Sequence, residues 1–540
     1  MGFYLFAILN KITKGYNISL LWMEPIFAEY EKTLRNPKLH NMNPTLSNRL
    51  SLFICVMIGV FLMAFTGYKA YHISLTFDES ATWIDQMYHS FWDIVTYKFP
   101  NASNHVFNTL YMKYCSAYIG NSEFELRSLS WFSHLVYIFF SIKIVQNLKR
   151  VWFIISAFIL LNVNPYLLDY FSLARGYGLA MAMMMGSLYY LVQYINNGRK
   201  WYQILTLLFG ILAVLANFSW LNFYLGLSGA VFVFHFFKTK EKNASFVTFA
   251  RSAIPLFVAG ILLFCIIYLP LKRLQDTHQF FFGGKTGFWK DTILQLVKDS
   301  LYTKPAESFA PVLFACILII FLSSVIFVFM KLFSGKSGNI LNPVYYILLI
   351  LFITGLSTEI QHLFLGTLFL TDRTALMFFP LSSLFIILAV SEITESTRMS
   401  RFVKPILFIV SFLKVIHFLY VLNFNGVHDF YYDSSTKKMI KDLDKSVPQN
   451  LRKPNAIILK EPWIFVPTTN FYLRTRNMNW VRPLEMFKKD DGTEPDYFYE
   501  VNVDANDRAQ YRREHKTIIA DYPETNTTLV KWKNNETMRQ

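Results

Sequence analysis

The run Leu50-Ser-Leu-Phe-Ile-Cys-Val-Met-Ile-Gly-Val-Phe-Leu-Met-Ala-Phe-Thr-Gly67, followed shortly by Thr76-Phe-Asp-Glu-Ser-Ala-Thr-Trp83, decides the architecture. The first segment is apolar over a length that crosses a hydrocarbon core roughly 30 Å thick. The second places two adjacent carboxylates, Asp78 and Glu79, where that helix surfaces. A carboxylate at the lipid–water boundary can take a proton from a substrate. It can equally cap an interfacial helix, for which Asp78 and Ser80 are the candidates.

The rest of the chain supports a membrane reading. Of 540 residues, 54% are hydrophobic, 18% aromatic and 16% charged, whereas soluble domains carry about 25% charged residues. Mean hydropathy is positive. The expected fold class is an all-α polytopic membrane domain of about eleven helices with a small C-terminal α/β domain. The spans are expected at 50–68, 127–146, 151–163, 176–195, 201–216, 219–237, 251–270, 309–332, 343–364, 373–391 and 403–424. The net charge of +16 is read through topology, and no nucleic-acid partner is expected. Three of the four cysteines lie in apolar runs and are expected to be buried; no CxxC spacing suggests a metal or redox site.

Orientation follows from lysine and arginine near the helix ends. The basic segment 1–49 and the pair Lys149-Arg150 agree, and their side is expected to be cytoplasmic. Met42 is read as an alternative natural start. The membrane domain is expected over 50–426, with outer loops 69–126 and 271–308. An odd number of spans puts Asp78-Glu79 and the C-terminal tail on the outer, extracytoplasmic side of a plasma or inner membrane. Loop 69–126 is expected to form interfacial helices with Trp83, Trp92, Tyr97, Tyr111 and Tyr114 at headgroup level. Residues 427–540 are expected to be an extracytoplasmic α/β domain, with a helix over 434–446 and strands at 455–459, 517–520 and 528–532.

Four polar clusters sit at helix mouths: Asp78-Glu79, Asn104-His105, Ala174-Arg175-Gly176-Tyr177 and Thr371-Asp372-Arg373-Thr374. Ionisable groups at membrane depth are costly and default to functional hypotheses. Each cluster has a plainer reading. His105 suits a hydrogen-bonded interfacial histidine, Arg175 and Arg373 could snorkel to lipid phosphates, and Asp372 could pair with Arg373 or cap its helix. The lysines of loop 271–308 could bind anionic lipid without specificity.

Taken together the clusters resemble the GT-C superfamily of membrane glycosyltransferases, and most of all its branch of protein O-mannosyltransferases and lipid A aminoarabinose transferases. Asp78-Glu79 matches the Asp-Glu of that family's first outer loop. Asn104-His105-Val106-Phe107 is similar to its His-Pro-Pro-Leu segment, with Val106 and Phe107 in place of both prolines. Asn164-Pro165-Tyr166 followed by Ala174-Arg175-Gly176-Tyr177 resembles its Pro…Tyr-Ser-x-Glu-Ala-Arg-x-Tyr, with Leu173 in place of the Glu. Phe124-Glu-Leu-Arg-Ser-Leu-Ser130 is similar to the opening of its second helix.

The resemblance implies inverting transfer of a hexosyl or pentosyl unit from a polyprenyl-phosphate donor to an acceptor hydroxyl. The acceptor would be a glycolipid, a polysaccharide or a protein of the cell envelope. The expected catalytic residues are Asp78 as base with Glu79 supporting it. Arg175, Arg373 and His105 are expected to hold the donor phosphate, and Asn104, Tyr177 and Asp372 to line the pocket. Loop 271–308 is expected to close over the site. No metal ligand is expected and no cofactor is fixed by the sequence, although a divalent cation is left open. A lipid-linked sugar flippase or transporter is the alternative, and a non-catalytic accessory subunit a third reading. Both predict charges or partner surfaces elsewhere than at helix mouths.

Overall fold

The computed structural model describes residues 44–532 except 242, 244, 334–340, 397–399, 487–491 and 515. The expected segment 1–49, and with it Met42, lies almost wholly outside the described residues. From the N-terminus the helices are α1 Pro44–His72, α2 Phe77–Gln86, α3 Phe91–Val95, α4 Val106–Tyr118, α5 Glu123–Val145, α6 Val151–Asn162, α7 Pro165–Asp169 and α8 Gly176–Asn197. There follow α9 Lys200–Ala216, α10 Leu221–Glu241, α11 Phe246–Asp276, α12 Gln295–Leu301, α13 Lys304–Glu307, α14 Ala310–Phe333, α15 Pro343–Leu365, α16 Phe378–Ser396 and α17 Ser400–Tyr420. The C-terminal unit adds α18 Thr436–Ser446, β1 Leu459–Lys460, α19 Val466–Thr475, β2 Tyr497–Val501, α20 Ala505–Arg513, β3 Thr517–Tyr522 and β4 Thr527–Lys531.

All eleven expected spans are helical. Among the described residues nine are long and apolar enough to cross a membrane, and this is a multi-pass membrane protein. The other two, α6 and α9, are shorter apolar helices. The positions of the helix mouths count both as passes of the chain through the bundle. Asp78, Arg175, Arg373 and Asp429 meet at one end through direct ion pairs. Between Asp78 and Arg175 the chain must therefore make an even number of passes, and α5 with α6 supplies them. Between Arg175 and Arg373 the passes are α8, α9, α10, α11, α14 and α15, again even only if α9 counts.

The lipid-facing surface accounts for two misplaced cysteines. Cys55 and Cys115 are buried, but Cys265 and Cys316 are exposed. A uniformly apolar helix gives no periodic signal for its inner face, so α11 and α14 turn these thiols outward.

Loop 69–126 forms α2, α3 and α4, but not all its aromatics sit at headgroup level. Trp83 and Tyr97 are buried. The Trp83 indole N–H donates to Ser116 and Asn121, while Tyr97 stacks on Phe218 and donates to the Asn104 carbonyl. Their polar tips find protein partners, which lets the rings turn inward.

The C-terminal sheet has the order β1-β2-β4-β3, with β1 parallel to β2 and the other pairs antiparallel. The expected strand at 455–459 forms only at its end, and the sequence reading missed β2, α19 and α20. The apolar core under this sheet is continuous with loop 69–126: Leu75, Trp83, Met112 and Leu126 pack in one cluster with Met439, Phe471 and Tyr499.

Candidate active site

The site is built on the first turn of α2. Its N-cap is Thr76, and Glu79 reaches back to accept from the Thr76 backbone N–H at 2.8 Å. Capping therefore falls to Thr76 and Glu79, not to Asp78 or Ser80. Glu79 is fully buried and takes a bidentate ion pair from Arg127, at 2.8 Å from Nε and 2.6 Å from Nη2. It also accepts the Ala174 backbone N–H at 2.5 Å. Arg127 gives its remaining donors to the carbonyls of Ala70, in the last turn of α1, and of Ile73 and Ser74 just beyond it. One glutamate thus ties α1, α2, α5 and the Arg175 loop together, and leaves its neighbour Asp78 for other work.

Asp78 Oδ2 lies 3.3 Å from Arg175 Nη2 and 3.3 Å from Arg373 Nη2. The three residues come from chain positions far apart and converge at one membrane-facing end of the bundle. Arg175 is held by the Ser103 carbonyl at 2.9 Å and by Thr82 at 3.2 Å. Arg373 lies over the rings of Phe282, at 4.6 Å, and Phe430, at 5.3 Å. The Nε of each arginine is buried without a hydrogen-bond partner among the described residues. So is Nε2 of His105. Orphaned buried donors are costly, and the two arginine Nε–H groups belong to the guanidinium groups paired with Asp78.

His105 is buried and meets Tyr177 edge-on at 5.0 Å. Burial, then the charges of Arg175 and Arg373, hold its imidazole well below the ordinary value, so it stays neutral at physiological pH. Tyr177 in turn packs on Tyr170 and Trp220 behind it. Asn104 donates to the Ile94 carbonyl at 3.1 Å, and its side-chain oxygen is an unpartnered buried acceptor among the described residues. Asp372 stands at φ +48°, a left-handed conformation that Asp tolerates better than most residues.

Gly176 explains the spacing Arg175-Gly176-Tyr177. A Cβ there would fall 2.0 Å from the Ala216 carbonyl oxygen and 2.9 Å from His105 Cβ. Gly176→Ala is expected to push α8 off α9 and cost more than about 2 kcal/mol. A loss of folded protein in size-exclusion chromatography checks this; normal yield with full activity would refute it.

Several site residues escaped the sequence reading. Asp429, in the linker after α17, accepts from Tyr166 at 3.0 Å and from Tyr170, and lies 3.6 Å from Arg373. Burial opposes its ionisation, but His428, Arg373 and Tyr170 together hold it below the usual carboxylate range. Buried Lys69 pairs with buried Asp169, which also accepts from Tyr302 at 2.7 Å and the His428 backbone at 2.8 Å. Asp299 is the opposite case: burial, then Asp372 and Asp429, push its carboxyl up to about 8. Loop 271–308 is pinned to the segment before Arg373 by paired backbone bonds between Gly284 and Phe369 and by Thr292 on the Leu370 carbonyl. What this loop lays against Arg373 is the Phe282 ring. Among the described residues no group of three or more His, Cys, Asp or Glu side chains is arranged to hold a metal ion.

A bilayer-facing groove of roughly 1170 Å³ opens between α10 and α11, apolar along Leu225, Phe257, Ile261 and Phe264 and polar at Lys272, Gln275 and His278. Its polar end adjoins the loop that holds Arg175, through Arg273 on the Thr96 carbonyl at 2.6 Å and Gln279 on the Ala102 N–H at 3.3 Å.

Neither a protein-family model nor any curated protein matches the chain. Solved structures do. It is similar to the lipid A aminoarabinose transferase ArnT from Cupriavidus metallidurans bound to undecaprenyl phosphate, at 10% identity and TM-score 0.46, over 89% of this chain and 98% of that one. The apo form of the same protein aligns at 11% identity and TM-score 0.45, over 88% and 97%. The Archaeoglobus fulgidus oligosaccharyltransferase AglB, in complex with an inhibitory peptide and a dolichol-phosphate, aligns at 11% identity and TM-score 0.43, over 81% of this chain and 64% of that one. All three are structures of GT-C superfamily members, and all are distant from this chain in sequence.

Proposed function

We propose that this protein transfers a sugar from a polyprenyl-phosphate donor to an acceptor hydroxyl on the extracytoplasmic face of the membrane. The observation that carries the reading is the shared contact of one carboxylate oxygen, Asp78 Oδ2, with two guanidinium groups from distant helix mouths. A tail in the α10–α11 groove would leave the phosphate near Arg175. The phosphate would take charge-assisted hydrogen bonds from Arg175 and Arg373, including their orphaned Nε–H groups, and a neutral one from His105. As the guanidinium groups turn to the phosphate, Asp78 gives up its two ion pairs. It then accepts the acceptor hydroxyl proton while that oxygen attacks C1, and the C1–O bond breaks toward phosphate. The phosphate leaves as an anion and needs no protonation, so one carboxylate suffices, unlike the pair of a glycosidase. Glu79 positions Asp78 without touching substrate, and Asn104, Tyr177 and Asp372 shape the pocket.

The test is reconstitution in lipid nanodiscs with an isotopically labelled polyprenyl-phosphate sugar and candidate acceptors. Product with inverted anomeric configuration supports a single displacement. Retained configuration, or movement of intact donor between leaflets without transfer, would overturn it.

A pH prediction follows from Asp299. Its carboxyl is neutral below about 8 and ionises above it, adding negative charge beside Asp372 and Asp429. An anionic donor is then repelled, so its KM is expected to rise about fivefold from pH 7 to pH 9. In Asp299→Asn this rise is expected to vanish. Parallel KM profiles for wild type and variant would refute the assignment.

A further inference from the structure

The C-terminal unit grips the chain immediately ahead of Asp78. The Leu75 backbone N–H donates to the Tyr472 hydroxyl at 2.9 Å, and that hydroxyl donates to Glu123 at 2.9 Å. Glu123 is fixed from the same side by Lys437 at 2.9 Å. The carboxylate of Asp433 faces the Phe77 backbone N–H; it is buried and takes the hydroxyls of Thr436 and Thr468, each at 2.6 Å. The first backbone N–H groups of a helix have no partner within it. In α2, Glu79 takes the Thr76 N–H from within the helix, and Asp433 of the C-terminal unit faces the same end. An anion at this end is also favoured by the helix dipole.

Side-chain packing repeats the pattern. α19 lies along α2, with Phe471 edge-on to Trp83 at 5.1 Å and Trp463 edge-on to Phe77 at 5.9 Å. Phe471 and Trp83 belong to the apolar cluster that the sheet and loop 69–126 share. A module that merely followed the membrane domain would not set a buried carboxylate against a backbone N–H of another unit.

We propose that Asp433 and Tyr472 are positioning residues for Asp78, and that the C-terminal α/β unit is a clamp that fixes the α2 helix in its working orientation. This rests on the reading of Asp78 as the base. Neither residue touches the reacting atoms: they act through the backbone of residues 75–77, and a small rotation of α2 would carry Asp78 away from Arg175 and Arg373.

The experiment uses the full chain in lipid nanodiscs and two variants, Asp433→Asn and Tyr472→Phe. Hydrogen–deuterium exchange is expected to accelerate at residues 77–83 in both, with exchange in the membrane helices and in β2 to β4 unchanged. Turnover is expected to fall by about 10- to 100-fold, the cost of displacing a catalytic group by about an ångström. Donor KM should stay within about twofold, because the phosphate-binding arginines are not moved. If Asp433→Asn does not fold, Tyr472→Phe, which removes one hydroxyl, carries the test. Unchanged exchange at 77–83 overturns the clamp, as does a raised KM with turnover intact. Should the wild-type protein transfer no sugar, the function reading fails while the exchange measurement still decides the clamp.

Discussion

Asp78→Asn is expected to lower transfer by about 10³- to 10⁴-fold, the upper range for loss of a general base. The substitution is isosteric, and its backbone contacts survive: the Asp78 carbonyl still accepts from Thr82 at 2.7 Å. Arg175 keeps the Ser103 carbonyl and Thr82. What disappears is the negative charge that both guanidinium groups share. With that counter-ion gone, a donor phosphate faces two cations that Asp78 no longer neutralises, Arg373 keeping Asp429 at 3.6 Å, so donor KM is expected to stay level or fall. A large drop in turnover with no rise in KM separates a base from a binding residue. Single-turnover measurements in nanodiscs with bound labelled donor give both quantities. A variant that keeps a tenth of wild-type turnover, or one whose loss lies wholly in KM, would remove Asp78 from the base role.

The same geometry explains what could be read from the sequence. Helix spans are legible because apolar length is a one-dimensional property. Asp78, Arg175 and Arg373 stood out because each is a charge at a helix mouth, where membrane depth makes it expensive. The structure brings these three together, with His105 beside them. Glu79 stood out for the same reason, but its partner did not. Arg127 lay in plain view within Phe124–Ser130, yet nothing local says which of two adjacent carboxylates it would take. The signal available was that an arginine inside a membrane helix requires an anion, and that Glu79, three residues after Thr76, stands at the capping-box position that turns it back toward the end of α1.

Lys69 and Asp169 carried an equivalent signal, a lone charge within or beside an apolar run, and each should have prompted a search for the other. Asp429 and Asp433 had no such mark. They sit where composition changes from membrane to soluble, which reads as a linker. Their roles come from tertiary contacts to Arg373 and to the Phe77 backbone, which no local pattern encodes. The aromatics of loop 69–126 were misread in part for a related reason. Composition shows that Trp83 and Tyr97 are amphipathic, but whether the polar tip finds water or a protein acceptor depends on Asn121 and on the Asn104 carbonyl, each supplied by the fold.

Glu79→Gln is expected to damage folding severely. The Glu79–Arg127 pair is completely buried, and removing one partner of such a pair costs about 3–5 kcal/mol because the other charge is left uncompensated. That is a large share of a typical total stability of about 5–15 kcal/mol. The loss is expected as a sharply reduced melting temperature in nanodiscs and a low folded fraction after extraction. Arg127→Met should be worse still. It frees Glu79, and it also orphans the carbonyls of Ala70, Ile73 and Ser74, each a buried acceptor. The double variant Glu79→Gln, Arg127→Met removes both charges and should recover part of the loss, because no buried ion then lacks its partner. It should not recover all of it, since the orphaned carbonyls remain, and α2 would have lost the reach of Glu79 to Thr76 and Ala174. Two results would sink this account. One is Glu79→Gln melting like the wild type. The other is a double variant whose loss equals the sum of the two singles, because independent costs would mean the two charges do not compensate each other.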